Sequence, residues 1–458
     1  MAASPADHPG RAGHLSSLGG ALQTRFEQTG DLADLDAAIT AGRQAVAVAV
    51  ASPRVRVLAA RGWGHAAAGG RRWHEAVAGF AAAAELLGLV ASRSLTRADQ
   101  EHLLEELGGL GADAAACCVH AGLMDRAVEL FEQGRGVLLG QALDTRTDLT
   151  ALTERHPSLA ARFTVLRDNL DWADDPAGPP IAMPTGMDGA VTDGRAEEAS
   201  QDIERRRAAA TAFDEVIAEI RQLPDFHSFL RPPPVMELLA AAAEGPVVAV
   251  TVSRFGSYAL ILTDGGVLDP VPLTGLTPET VYDRVAAFLG ALDDAWSPAV
   301  GAGGRAAAEH RLGDTLGWLW EALAGPVLDR LGITGPPQDR QPWPRLWWCV
   351  SGLLSFLPVH AAGHHTRADA ATASVIDRVI SSYTPTIRAL THARRPGLAT
   401  AADEHDRPSA GDRVVAVAMP HTPGASDLPG ARAEATGLQR QFPGRVTVLT
   451  GAQATQSS

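Results

Sequence analysis

Three cysteines and a short run of histidines are the side chains in this 458-residue chain whose types could carry out chemistry. Cys349 stands in the apolar run Leu346–Val350. A cysteine attacks as its thiolate, with an imidazole close enough to generate it. The run around Cys349 reads as a buried strand, so the expectation is a small apolar side chain instead. Cys117 and Cys118 are adjacent in an alanine-rich segment. Adjacent cysteines rarely bond each other, and both read as helix packing with no disulfide framework. His360, His364 and His365 form an H-x3-H-H pattern. Two imidazoles four apart on a helix could hold a metal, but no helix is evident here and no carboxylate completes the set, so a surface loop is expected. Arg388 and His392 follow Pro385 on a segment that could reach a sheet. Gly301–Gly304 lacks both the strand before it and the Gly-Lys-Ser/Thr after it that a phosphate loop needs, and reads as a flexible joint. No catalytic, cofactor-binding or metal-binding residue is assigned.

The elements that would position these residues fall into two halves. Residues 8–145 read as three helix pairs. Leu15, Leu18, Leu22 and Phe26 make one apolar stripe, and Leu32, Leu35 and Ile39 make another on the partner helix, with Asp31 placed as its cap. The pattern returns around Gly69-Gly70 and again around Gly122. Ala38-Ile39, Ala76-Val77 and Ala127-Val128 hold equivalent positions after each turn, and a small residue there lets two helices approach closely. These units resemble tetratricopeptide repeats, through Leu18-Gly19, Phe26 and Ala38, so residues 1–172 are expected to form a helical-repeat array that binds a protein or peptide partner. Residues 173–200, rich in Pro and Gly, read as a linker, and 201–244 as connecting helices.

From Gly245 the period changes from helical to extended. VVAVTVS and YALILTD form an antiparallel hairpin around Arg254–Ser257, followed by a short strand in VLDPVPL. Helices are expected near Pro278–Leu292 and Leu312–Leu331, the second with Leu316, Leu319, Trp320 and Leu323 on one face. LWWCV is a buried strand, Ser351-Gly352 turns the chain, and Leu354–Leu357 is expected to pair back. Trp347 and Trp348 alternate, so one ring faces the core and the other a helix or the repeats. After a polar loop, Ala393–Asp412, come the strand Val414–Met419, a crossover helix Pro429–Gln441 with Ala431, Ala435 and Leu438 facing the sheet, and a strand Arg445–Gly451. The fold class is thus an α-helical array followed by a β-hairpin subdomain and the beginning of an α/β sheet near residue 413.

This order resembles the CHAT domain, the caspase-like module found beside tetratricopeptide repeats in bacteria. The resemblance rests on Leu353…Phe356-Leu357-Pro358, on Ser382-Tyr383-Thr384-Pro385-Thr386, on Val414–Met419, and on Leu428-Pro429-Gly430-Ala431 with Glu434; Ala454-Thr455 looks like the next helix start. It spans roughly residues 230–458. It implies a cysteine-peptidase mechanism, with a His after the third strand of the sheet as base and a Cys after the fourth as nucleophile. Neither has a matching position here, because the sequence stops at Ser458 with only the first two of those strands. The expectation is a truncated CHAT-type protein without its dyad, inactive as a peptidase, binding a partner through its repeats. The alternatives are a fragment of an active, partner-regulated endopeptidase, and a structural adaptor.

Composition bounds the partners. The formal net charge of −14 disfavours nucleic acid and anionic membrane surfaces. No signal peptide and no transmembrane run is seen, so a cytoplasmic location is expected. The Ala, Gly, Arg and Pro bias suggests a GC-rich bacterial genome.

Overall fold

In the computed structural model, residues 10–48, 53–90, 108–135, 152–172, parts of 208–229, 234–337, 341–365, 374–394, 414–422 and 427–451 are described. The expected linker 173–200, most of the loop 393–412 and the pair Ala454-Thr455 lie outside them. Contacts divide the chain into one unit over Met1–His392 and another over Ala393–Ser458.

Among the described residues, six helices open the first unit: α1 (Gly10–Thr29), α2 (Leu32–Ala47), α3 (Pro53–Gly69), α4 (Trp73–Val90), α5 (Leu110–His120) and α6 (Met124–Gln133). They pair as α1 with α2, α3 with α4 and α5 with α6. Asp31 caps α2, its carboxylate accepting from the Ala33 N–H at 2.9 Å. The helices approach through small residues. A Cβ on Gly79 would lie 2.6 Å from the Gly64 nitrogen, and one on Gly134 would lie 2.5 Å from Gly111 Cα. The turn of the second pair carries its strain on a side chain rather than on a glycine. Its left-handed residue is Arg71, at φ 56°, and neither Gly69 nor Gly70. Gly70 is needed for space instead, since a Cβ there would meet Leu35 at 2.3 Å.

α7 (Pro157–Trp172) follows, and Phe163 on it packs with Val216, Ile217 and Ile220 in a separate apolar cluster. Then come α8 (Val235–Leu239), β1 (Val247–Thr251), β2 (Tyr258–Thr263), β3 (Gly266–Val267) and β4 (Val271–Pro272). α9 (Pro278–Trp296) and α10 (Ala302–Leu319) come next, and α10 leads through a π-turn at Trp320–Ala324 into α11 (Gly325–Arg330). The π-turn precedes Pro326, which has no N–H to continue the regular ladder. β5 (Arg345–Cys349), β6 (Ile380–Tyr383) and α12 (Ile387–Arg394) complete the unit.

β1 runs antiparallel to β2 and parallel to β5, and β5 runs parallel to β6, so hairpin and later strands share one mixed sheet in the order β3-β2-β1-β5-β6, with β4 also on β2. Three expectations are corrected here. The hairpin is not a separate subdomain, because β1 also pairs in parallel with β5 in one mixed sheet, while a separate two-stranded parallel sheet does begin at Val414. Leu354–Leu357 does not pair back: residues Gly352–Phe356 form a 3-10 turn, because both edges of β5 are taken by β1 and β6. Gly301–Gly304 is no joint, since Gly301 is the N-cap of α10 and the helix runs from Ala302.

Side chains alternate across the sheet. Val247, Ala249, Leu260, Leu262 and Cys349 face the core shared with the helix pairs. Val248, Val250, Ala259, Ile261, Leu346 and Trp348 face α9 to α11. Trp348 is fully buried on that second side, while Trp347 packs against the helical array.

The second unit holds β7 (Val414–Ala418), α13 (Pro429–Gln441) and β8 (Val446–Thr450), a parallel pair with its crossover helix. Ala435 is buried as expected, but Leu438 is 40% exposed, because the two described strands are too narrow to cover the whole helix face. Val414, Val415 and Val417 on β7 are also exposed. Among the described residues no helix is long and apolar enough to cross a membrane.

Candidate functional site

In open α/β sheets, ligands and reactive groups gather beyond the carboxyl ends of parallel strands. Here those ends belong to β1, β5 and β6, and the last turn of α6 closes on them. Arg135, two residues beyond α6, donates to the carbonyl of Val350 at 2.6 Å and that of Cys349 at 3.3 Å. It also donates to Cys349 Sγ at 3.1 Å and lies over the Phe131 ring. The Cys349 thiol in turn points at the Pro385 carbonyl, 3.9 Å away.

Glu132 is a buried carboxylate at the same place. It accepts from the N–H of Ile387 at 2.9 Å and from that of Arg388 at 2.8 Å. Those are the first amides of α12, which have no partner within their own helix, so a carboxylate from α6 caps a helix in the other half of the unit. Burial pushes the Glu132 carboxyl up from its ordinary value, against the pull of the two N–H groups and Arg135. Glu129, one turn back, accepts from the Val235 N–H at 3.0 Å and pairs with Arg126.

Burial likewise pushes the Cys349 thiol up to about 11; Arg135 pulls it down and Glu132 adds to the rise. The group is a neutral thiol at physiological pH, the opposite of an activated nucleophile. Cys118 is pushed up to about 12 by burial, and Cys117 higher still. All three cysteines are free and buried, as their settings in strand and helix suggest.

The histidines divide. His360 is in a short 3-10 turn, Val359–Ala361, where its backbone N–H donates to the Tyr383 hydroxyl at 2.9 Å and its Nδ1 lies 2.9 Å from the same oxygen. His364 approaches Glu321 at 3.4 Å, and His365 donates to the Ala361 carbonyl at 2.7 Å. The three thus have three different partners, and no group of three or more metal-ligating side chains is found among the described residues. Arg388 contributes its backbone N–H to Glu132, and the side chain of His392 lies outside the described residues.

A second polar cluster joins the helix pairs to the β1–β2 turn. His65 on α3 meets Asp113 on α5 at 2.9 Å, and Ser253 donates to the other oxygen of Asp113 at 2.7 Å. The carboxylate sits between imidazole and hydroxyl, so the imidazole has no access to the serine proton and the set is not a nucleophilic triad. Burial lowers the His65 pKa from its ordinary value, with Asp113 opposing, which favours the neutral ring. His120 stacks on Trp73, centroids 4.2 Å apart, and donates to the Phe255 carbonyl at 2.8 Å.

The sequence did not single out Glu132, Arg135, Asp113, His65 or Ser253. Glu132 and Arg135 stand in the run Glu-Gln-Gly-Arg-Gly, inside the segment 124–143 that reads from sequence as the second helix of the third pair. Only the partners across the sheet reveal Glu132 as buried and Arg135 as half-buried.

Residues 313–458 match the family model of the CHAT domain. The match opens within α10 and takes in β5, β6, α12 and the second unit; β1–β4 and α9 precede it, so it is shorter than the resemblance drawn from the residues. No curated protein matches the chain.

Proposed function

We propose that the helix pairs of this CHAT-matched chain are a receptor for a protein or peptide partner, coupled to the CHAT-matched segment through Glu132 and Arg135, and that the chain does not itself hydrolyse peptide bonds. CHAT domains are related to caspase-like proteases, and the family's mechanism needs an ionised cysteine with an imidazole beside it. Cys349, the cysteine within the CHAT match, is a buried neutral thiol whose neighbours are a guanidinium and a carbonyl. The observation that carries the coupling is that the last turn of α6 and the residue just beyond its cap, Glu132 and Arg135, hold both the amide end of α12 and the carbonyl end of β5. A partner that shifts α6 must strain or release both contacts, which is the differential interaction a transmitted signal requires.

Two measurements test this. A quenched-peptide substrate library incubated with the purified chain should show no turnover above background; turnover lost in Cys349→Ala overturns the inactive reading. A displayed random-peptide library selected on the full chain should yield ligands that map to the helix pairs and change amide exchange at Val350 and Ile387. Ligands that bind the pairs and leave those amides unchanged overturn the coupling.

A further inference from the structure

α9 carries two apolar stripes, and the fold uses one. Thr277 caps the helix through a reciprocal pair with Thr280, and Val281, Val285, Phe288 and Ala291 are buried against the sheet. Roughly a quarter turn away, at 100° per residue, lie Tyr282, Leu289 and Trp296, spaced seven apart and 63%, 46% and 84% exposed. Ala286 and Asp293 fall between them on the same side, both exposed. The 3-10 turn Gly352–Phe356 packs against α9 and leaves Leu353 and Phe356 exposed. Single exposed apolar residues are ordinary, but three at heptad spacing along one helix form the seam a second helix needs.

The charges beside the seam are of one sign. Glu279 and Asp293 flank its open side, and Asp283 lies further round the helix. The one arginine of α9, Arg284, is turned away and lies over the Trp318 ring, and Asp294 is held by Arg311 of α10. A second copy of this chain would set acid against acid. We propose that the Tyr282–Leu289–Trp296 face of α9 is a docking surface for a basic amphipathic helix of a partner protein, with apolar residues in the seam and arginine or lysine opposite Glu279 and Asp293. This surface is on the side of the sheet away from the helix pairs, so it stands apart from the receptor role proposed above.

The test uses the full chain and a labelled synthetic peptide with leucines at heptad spacing flanked by arginines, read by fluorescence anisotropy, beside a twin with glutamates in place of the arginines. The arginine peptide should bind and the glutamate peptide should not. Leu289→Ser with Trp296→Ser should weaken binding about tenfold or more. Glu279→Gln with Asp293→Asn, which leaves the seam intact, should weaken it and flatten its salt dependence. Any of four results overturns the proposal: no binding, equal binding of both peptides, binding unaffected by the serine pair, or a dimer of the chain itself that the serine pair abolishes.

Discussion

Glu132 and Ile387 lie 255 residues apart in the chain, and the Glu132 carboxylate accepts the Ile387 N–H at 2.9 Å. A second bond to Arg388 makes the carboxylate a cap supplied from one half of the unit to a helix in the other. Burial costs this carboxylate much of what it gains, because water has been removed from a charge. It is balanced by two amides and by Arg135, and its removal leaves those amides buried and unpaired. Glu132→Ala is therefore expected to destabilise the chain by about 2–4 kcal/mol, measured by urea unfolding of the first unit. Glu132→Gln, which still accepts, should recover part of this.

The Glu132 carboxyl is raised in the folded state, so the folded chain holds its proton to higher pH than the unfolded chain. Its effect on stability is thus most favourable below the ordinary carboxylate range and is lost as pH rises through the folded value. Subtracting the stability–pH curve of Glu132→Gln from that of the parent should reveal this falling limb. A flat difference contradicts the burial argument.

His65 has the opposite sign of dependence. Its folded pKa lies below 6.5, so the unfolded chain takes up the proton first as pH falls. Stability is fully present above the ordinary imidazole value and declines as pH drops below it toward the folded value. Replacing His65 by Gln should remove that decline, seen by thermal unfolding between pH 7 and pH 5 (roughly the imidazole range).

Arg135→Ala removes the donor to the Cys349 and Val350 carbonyls. The expected loss is about 2–4 kcal/mol, with amide exchange accelerated around Val350. If only the exchange of α6 itself changes, Arg135 does not hold the end of β5.

Glycine substitutions separate packing from propensity. Gly79→Ala places a Cβ 2.6 Å from the Gly64 nitrogen and should cost about 1–3 kcal/mol or more. Gly62→Ala, in the same helix pair and with nothing within 4 Å, should raise stability by about 1 kcal/mol. Thermal unfolding of the two variants reads both signs.

Local order was legible because it depends on neighbours in sequence. The apolar stripes of α1 and α2, the Asp31 cap, the β1–β2 hairpin and the alternation of Trp347 and Trp348 follow from periods of 3.6 and 2 and from capping chemistry. The same periods placed Cys117, Cys118 and Cys349 in the interior as inert thiols. Where local signals misled, a distant segment had changed the outcome. Leu354–Leu357 has the residues of a returning strand, but β1 and β6 already occupy both edges of β5. Leu438 is on the helix face expected to be covered, and the described sheet beneath it is narrow.

The amino-acid sequence by itself determined most of the helices and strands, the burial of the cysteines and the resemblance of the later segments to a CHAT domain, because each rests on residues close together in the chain. The tertiary structure alone decided that one mixed sheet joins the early hairpin to the later strands, that the end of α6 and the residue just past it supply Glu132 and Arg135 to its far end, and that one apolar stripe of α9 is left facing water. Those outcomes depend on which surfaces meet across hundreds of residues, and a buried carboxylate and an exposed one look the same until the partner is in place.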